Sequence, residues 1–216
     1  FPDSKIEIQE FLTVDKTHQV EDAGTMDQFQ LSVLVGMTFY FTVYSILYLQ
    51  INLVEEKRKG TWNRLIFSPL SKTQIYLGHL SHYFSVGLGQ VLLAFFILTK
   101  LLDIDLGTNY VSMAAVTLAF IFTIVSLGML VSALVPSPQS LQVVIPIVAT
   151  AMAMLGGAFW PIDIVSNRFL LFIAELMPIR HGLNGMVDAI YLGLPLSELL
   201  QPIGILLLMG ILFMGI

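Results

Sequence analysis

The stretch "LGTNYVSMAAVTLAFIFTIVSLGMLVSALVPSPQSLQVVIPIVATAMAMLGGAFWPI", residues 106–162, contains no Asp, Glu, Lys or Arg. About 20 consecutive apolar residues span a bilayer as an α-helix, so this stretch is long enough for two crossings. Pro136 and Pro138 divide it, because two prolines two residues apart do not fit inside one helix. The stretch therefore predicts two membrane helices joined by a short turn at 135–140.

Other uncharged runs repeat this pattern on both sides of the stretch. Residues 31–54 and 73–99 also lack charged side chains, and a last apolar run ends the chain. Only 12% of the 216 residues are charged, whereas soluble domains average about 25%. We therefore predict an all-α integral membrane protein, a polytopic helical bundle with five crossings. The predicted crossings lie at 29–54, 74–99, 109–135, 140–160 and 199–216.

The distribution of charge predicts the orientation of these crossings. The net charge of −5 is carried entirely by residues 1–28, so the acidic balance is local and gives no reason to expect a nucleic-acid partner. Five of the ten basic residues lie in the 55–73 loop, and Lys and Arg gather in cytoplasmic loops. Residues 1–28 and 161–198 are then extracytoplasmic. We expect residues 1–28 to be the C-terminal remnant of an outer domain, with a first helix upstream.

The segment 161–198 is too polar to cross a membrane and too apolar for an ordinary loop. Its apolar residues, from Phe169 to Leu176, follow helical spacing, and Pro178 begins a second helical segment. This pattern predicts two short re-entrant or interfacial helices on the outer side, within about 161–193. A simple helical hairpin on the surface is the alternative.

Motifs for catalysis are missing from this sequence. It contains no G-x-x-x-x-G-K-[ST] for nucleotide phosphates, no H-E-x-x-H and no G-x-S-x-G, so we expect no enzyme activity, cofactor or metal site in this chain. His79 and His82 share a helix face but have no evident ligand partner, so we favour polar groups near the inner boundary or facing another helix. The crossings also lack ionisable residues for an ion relay, which argues against a proton- or sodium-driven pump.

Two side-chain patterns inside the crossings allow more than one interpretation. Ala149, Ala153 and Gly157 recur at every fourth position, a spacing that permits close helix packing within one subunit or across a dimer. A group of aromatic residues in the first crossing could line an exit path for a lipid-like compound or simply face lipid. Its members are Phe39, Tyr40, Phe41, Tyr44 and Tyr48.

The segment "VEEKRKGTWNRLIFSPLSKTQIYLGHL", residues 54–80, resembles a segment of type-2 ATP-binding-cassette (ABC) permeases. In that family, a membrane helix ends in acidic and basic residues, followed by Gly-Thr, a Leu and a Ser-Pro turn. The matching positions are Glu55, Glu56, Lys57, Arg58, Gly60, Thr61, Leu65, Ser68, Pro69 and Ser71. Gly60 permits a sharp turn, and Pro69 keeps a short helix from merging with the next crossing.

A second segment, "LGGAFWPIDIVSNRFLLFIAELMPIRHGLNGMVDAI" at 155–190, resembles the exit from the fifth helix of the same family. There, a Gly-Gly-aromatic-aromatic-Pro run precedes two short outer helices and the sixth crossing. The matching residues are Gly156, Gly157, Phe159, Trp160, Pro161 and Pro178. The two motifs occur in the family's order, around the matching number of crossings.

This resemblance implies an architecture and a function for the chain. The five crossings would be the second to sixth of a six-helix permease, and the 55–73 loop would contain a coupling helix that docks on a separate ATPase subunit. Two permease subunits, identical or different, would work with two ATPase subunits, and ATP and Mg²⁺ would be bound by the ATPase. The residues expected to couple are Glu55, Glu56, Lys57, Arg58, Gly60, Thr61, Arg64, Leu65 and Pro69.

The resemblance also suggests a cargo class and a location. It favours the drug, antibiotic or sodium efflux branch, in the plasma membrane of a bacterium. An ATP-independent transporter or channel, or a membrane sensor or scaffold subunit, is the alternative. Orientation by positive charge is a second explanation for the basic cluster in the 55–73 loop, and it is compatible with coupling.

Overall fold

The computed structural model describes residues 28–59, 71–160, 162 and 167–215. These residues form seven α-helices and no β-strand, which confirms the prediction of an all-α fold. The helices are α1 Gln28–Arg58, α2 Lys72–Lys100, α3 Tyr110–Leu134, α4 Pro138–Leu155, α5 Arg168–Glu175, α6 Pro178–Tyr191 and α7 Leu200–Gly215.

Four of these helices, α1 to α4, are long and apolar enough to cross a membrane. The last helix, α7, is apolar throughout but has 16 residues, so its crossing stays a prediction. The largest difference from the predicted bounds is in α4, which was expected to reach residue 160 and ends at Leu155. Gly157 has a φ of +87°, a left-handed conformation that terminates the helical path.

The helices α1 and α3 form the centre of the bundle. The first packs against α2, α3, α4 and α6, and the second packs against α1, α2, α6 and α7. Phe39 of α1 stacks on Phe120 of α3 with ring centroids 4.2 Å apart. The helix α2 is peripheral, since only 22% of its most apolar 18-residue stretch is buried. The corresponding share in α3 is 56%. Its outward apolar residues are suited to contact with lipid.

The two short helices after α4 have different environments. The helix α5 has Ala174 as its buried residue, and its Phe169 and Phe172 side chains are exposed. The helix α6 is buried along most of its length and packs against α1, α3, α4 and α7. Its Gly182 lies against the Phe120 ring, where an added Cβ would be 2.6 Å from a ring carbon. A hairpin on the surface therefore describes α5 but not α6, which is inserted into the bundle.

Candidate coupling site

The C-terminal end of α1 carries two acidic residues, which are followed by three basic residues. Glu55 and Lys59 are one helical turn apart, and Lys59 Nζ lies 2.8 Å from Glu55 Oε2. Both side chains are substantially exposed, and exposed ion pairs of this kind stabilise a helix by about 0.3–0.5 kcal/mol. Lys59 directly follows α1, so this pair is local to the end of α1 and does not join it to another described helix.

The next acidic residue, Glu56, faces α2. Its Oε2 atom lies 3.8 Å from Nε2 of His79, which is one of the two histidines that share a helix face. The His79 ring in turn stacks beside the Tyr83 ring, with centroids 6.0 Å apart. The end of α1 therefore meets the first half of α2 through polar groups, and His79 has a local role that requires no metal.

Arg58 joins the end of α1 to the start of α4. Its Nη1 donates a hydrogen bond to Oε1 of Gln139 over 3.1 Å, although the two residues are 81 positions apart in the sequence. Gln139 is held in the first turn of α4, because Ser137 caps that helix by accepting a hydrogen bond from the Ser140 amide at 3.1 Å. A cleft of about 320 Å³ lies beside this contact, between the last turn of α1 and the first turn of α4.

After the loop, the structure describes the chain again from Ser71, which caps α2. Its Oγ accepts from the Gln74 amide at 3.3 Å, and Oε1 of Gln74 accepts from the Ser71 amide at 2.8 Å. This reciprocal capping box defines where the loop ends and α2 begins. Five of the residues predicted to couple lie in the loop itself, outside the described residues, and their role stays a prediction. They are Gly60, Thr61, Arg64, Leu65 and Pro69.

Of the residues predicted to couple, four are therefore visible at the end of α1. Glu56 and Arg58 make contacts to α2 and α4, and Glu55 has a local ion pair at the end of α1. Lys57 also has an interaction, so it is not a free charge. Sequence reasoning did not single out Gln139 as a partner, since no local signal connects residues 81 positions apart. The sequence favoured a polar, non-ligand role for His79 but did not identify Glu56 as its partner.

The segment after α4 makes close approaches at its glycine residues. A Cβ added to Gly156 would overlap the Ile179 side chain and lie 2.6 Å from the Met152 carbonyl oxygen. The ring of Phe159 meets that of Tyr40 edge-on, with centroids 5.1 Å apart. Pro178 occupies the first turn of α6, where its missing N–H has no consequence for the helix.

Two more residues of this segment were predicted to belong to the site. Trp160 is 40% exposed at the surface of the segment. Pro161 lies outside the described residues.

The row of small residues is only partly helical. Ala149 and Ala153 have no exposed surface, and both are packed within this chain. Gly157 does not extend the row, because α4 ends two residues earlier and Gly157 lies in the following turn. A role for this row in a dimer stays a prediction.

The aromatic group of α1 is also divided. Phe39 is fully buried, Tyr40 and Tyr44 are half-buried, and Phe41 and Tyr48 are exposed. Phe39 therefore faces the core, whereas ring contacts connect Phe41, Tyr40, Tyr44 and Tyr48 in one row along α1. A role of this row in an exit path stays a prediction. Among the residues that the model describes, no group of three or more His, Cys, Asp or Glu side chains is arranged to hold a metal ion.

Comparison with known proteins identifies the family. Residues 5–216 match the model of the ABC-2 family transporter proteins, and the chain belongs to this family. A curated relative is the linearmycin resistance permease protein LnrN of Bacillus subtilis (strain 168), which is 27% identical over 172 residues. That alignment covers 80% of this chain but 44% of the relative, so the chain spans less than half of the relative's length. No solved structure matches the chain.

Family membership and the four apolar helices together define the class of protein. The chain is an ABC-2 transporter membrane domain, a permease-type component with helices able to span a membrane. The residues at the end of α1 form hydrogen bonds and ion pairs, which connect this helix to its neighbours. They do not form the nucleophile and base pair of a catalytic site.

Proposed function

We propose that this chain is the permease subunit of an ATP-driven exporter whose energy arrives from a separate ATPase subunit docked on residues 55–73. Membership of the ABC-2 family supports the transporter assignment. The observation that carries the coupling proposal is the double connection at the end of α1, which contacts α2 through Glu56 and α4 through Arg58.

These contacts give the proposal a physical route. The loop begins at the end of α1 and ends at the Ser71 cap of α2, so a displacement of the loop acts on both helices directly. The Arg58–Gln139 hydrogen bond extends the same displacement to α4. A push by the ATPase pair on ATP binding therefore tilts α1, α2 and α4 together. Coupling of this kind requires packed elements with two arrangements, biased by the partner.

The partner subunits supply the chemistry that this chain lacks. ATP and Mg²⁺ are bound and hydrolysed in the ATPase subunits, two of which associate with two permease subunits of the same or different sequence. The permease lies in the bacterial plasma membrane with the 55–73 loop in the cytoplasm. Residues 1–28 and 161–198 lie outside. The five basic residues of the loop support this orientation.

The exported cargo is a hydrophobic or amphipathic compound, such as a drug or antibiotic, or an ion. The name of the relative LnrN, a linearmycin resistance permease, supports the antibiotic branch. The apolar outer face of α2 fits a protein that meets its cargo in the bilayer.

Two other classes of function make different predictions. A secondary transporter or channel moves its cargo without an ATPase, and a sensor or scaffold subunit binds an ATPase without moving cargo. Purification of the complete protein in mild detergent tests the first class, because an ABC-type ATPase co-purifies with an exporter or a sensor but not with a secondary transporter or channel. An assay of ATP-dependent transport then separates the exporter from the sensor. Transport in vesicles without ATP would contradict our proposal.

Substitutions in the loop test coupling directly. We expect Gly60→Val and Leu65→Ser, made in the complete protein, to reduce ATP-dependent export at least about tenfold, which corresponds to about 1.4 kcal/mol. Leu102→Ser is the matched control, since Leu102 is an exposed apolar residue in the turn after α2, outside the coupling loop. If both loop variants retain export and ATPase binding, the coupling role of 55–73 is wrong.

A further inference from the structure

A cavity of about 410 Å³ lies at the end of the bundle opposite the coupling site. It is lined by the first turns of α1, the segment after α4 and the second half of α6. The helix α1 is 31 residues long, so its two ends are roughly 45 Å apart at the rise of an α-helix. This volume lies within the range of about 300–1,000 Å³ that is typical of sites for drug-sized ligands.

Two walls of the cavity present an aromatic ring, and the third presents polar side chains. The α1 wall offers the exposed ring of Phe29, and the segment after α4 offers Trp160. The α6 wall presents Asn184 and Asp188, which are one turn apart and therefore share a helix face. Among the described lining residues, Asp188 is the one charged side chain, and none is Lys, Arg or His.

The surroundings of Asp188 disfavour the charged form of its carboxylate. It is half-buried, and burial raises the pKa of its carboxyl group above the ordinary value. Within the described part of the chain, no ion pair or side-chain hydrogen bond involves this carboxylate. It also lies in the last turn of α6, where the negative end of the helix dipole disfavours an acidic side chain. A cation bound in the cavity would offset the cost of burial, pair with the carboxylate and oppose the helix dipole.

The walls of the cavity are held in place by backbone contacts. A Cβ added to Gly36 of α1 would be 2.6 Å from the carbonyl oxygen of Ala158, so α1 and the segment after α4 touch directly. The φ of +87° at Gly157 turns the chain just before this contact. A Cβ added to Gly156 would overlap the side chain of Ile179 in α6, so the segment after α4 also touches the acidic wall. The walls are therefore held apart at fixed separations without a ligand, which reduces the entropy that binding would cost.

We propose that this cavity binds an amphipathic organic cation, with Asp188 facing its positive group and Phe29 and Trp160 covering its apolar part. Aromatic faces attract cations, and a carboxylate without a counter-ion adds a directional charge. The proposal rests on the proposed export function, since it makes cationic amphipathic compounds the preferred cargo and places one station for them at the outer end of the permease.

The test uses two probes of similar shape and opposite charge. The complete protein with its ATPase partner is placed in lipid nanodiscs, and nanodiscs without protein are the blank. We expect tetraphenylphosphonium to bind at least about tenfold more tightly than tetraphenylborate. Equal binding of the two probes, or tighter binding of tetraphenylborate, would overturn the proposal.

Variants locate the binding within the protein. Asp188→Asn removes the charge at nearly constant shape and is expected to weaken tetraphenylphosphonium binding about tenfold, and Trp160→Leu about three- to tenfold. Glu198→Gln is the matched control, because it removes an exposed acidic charge at the same end of the bundle but outside the cavity. Unchanged affinity in both cavity variants, or equal loss in the control, contradicts the site.

The outcomes for the site and for the proposed function are distinguishable. If the ATPase co-purifies and hydrolyses ATP but tetraphenylphosphonium does not bind, the cavity proposal is wrong and the export function stands. If tetraphenylphosphonium binds but no ATPase associates, the export function is wrong. A thermal melt of each variant identifies loss of folding, and a correctly folded variant of either cavity residue is sufficient to decide.

Discussion

The two ends of this bundle are held together by different kinds of contact. At the outer end, helices and their connections approach so closely that backbone meets backbone or ring, as at Gly36 against Ala158 and Gly182 against Phe120. At the coupling end, the last turn of α1 adds polar contacts with α2 and α4 to the buried apolar packing, with the exposed Arg58 to Gln139 hydrogen bond as the clearest case. Close packing resists displacement, whereas an exposed hydrogen bond contributes only about 0.5–1.5 kcal/mol.

This difference suggests a division of labour along α1. A rearrangement at the coupling end breaks contacts of small free energy and can be reversed in each cycle. A rearrangement at the outer end would require tightly packed atoms to separate, so that end is suited to hold the walls of a binding cavity. Three predictions test this contrast, from the largest expected effect to the smallest.

The largest effect is expected from closing the gap at Gly36. Its added Cβ would lie 2.6 Å from Ala158 O, so Gly36→Ala must displace the segment after α4 and should lower the free energy of unfolding by about 1–3 kcal/mol. Thermal stability in detergent, measured by size-exclusion chromatography after heating, checks this value.

The matched control for this substitution is Gly89→Ala in α2. No atom lies within 4 Å of the position of its added Cβ. Alanine is the better helix former by about 1 kcal/mol, so this variant should be unchanged or more stable. If both variants melt at the wild-type temperature, the outer end is less tightly held than we infer.

A smaller effect is expected at the coupling end. Gln139→Ala removes the acceptor of the Arg58 hydrogen bond without changing any charge, so ATP-dependent export should fall about two- to tenfold, the equivalent of the hydrogen bond's 0.5–1.5 kcal/mol. ATPase binding should be retained, because Gln139 lies outside the 55–73 loop. Export and hydrolysis assays on the reconstituted complex measure both quantities.

Lys59→Ala serves as the comparison at the same end. It removes an ion pair that is local to the end of α1, with a Lys59 side chain that is 70% exposed, so export should change by less than about twofold. A loss in Lys59→Ala as large as in Gln139→Ala would show that charge, and not the connection to α4, is what matters there.

The smallest effect is a pH dependence at the outer end. Because burial raises the pKa of Asp188, the folded state holds its proton to higher pH than the unfolded state does. Stability should therefore fall as pH rises from the ordinary aspartate pKa towards the raised value, and the deficit should persist at neutral pH. Asp188→Asn lacks this titration, so the melting temperature of wild type relative to the variant should be lower at pH 7 than at pH 4. An identical difference at both pH values would contradict this assignment.

Much of the fold was predictable because membrane helices carry strong one-dimensional signals. Uncharged runs fixed α1 to α4 to within a few residues, and Pro136 with Pro138 located the α3–α4 turn. The error at the end of α4 has a physical cause. Gly156 and Gly157 are apolar by composition, so hydropathy extends the helix through them, whereas the left-handed φ of Gly157 ends it.

The candidate coupling site was only half predictable. The run from Glu55 to Arg58 stands out in the sequence because it ends an uncharged stretch. Its partners do not stand out, since Gln139 is an ordinary polar residue after a proline, and its contact with Arg58 depends on how α1 and α4 cross. The remaining loop residues, including Gly60 and Leu65, lie outside the described residues, and their role is still a prediction.

The sequence by itself determined that this is a helical membrane protein, where its long helices lie and which end of α1 carries the basic cluster. These properties follow from hydropathy and charge along the chain, which need no knowledge of packing. The tertiary structure decided that α6 is inserted into the bundle, that Arg58 reaches α4 and that Asp188 shares a cavity with two aromatic rings. Such properties depend on distances between residues far apart in sequence, and only the packing of the helices sets those distances.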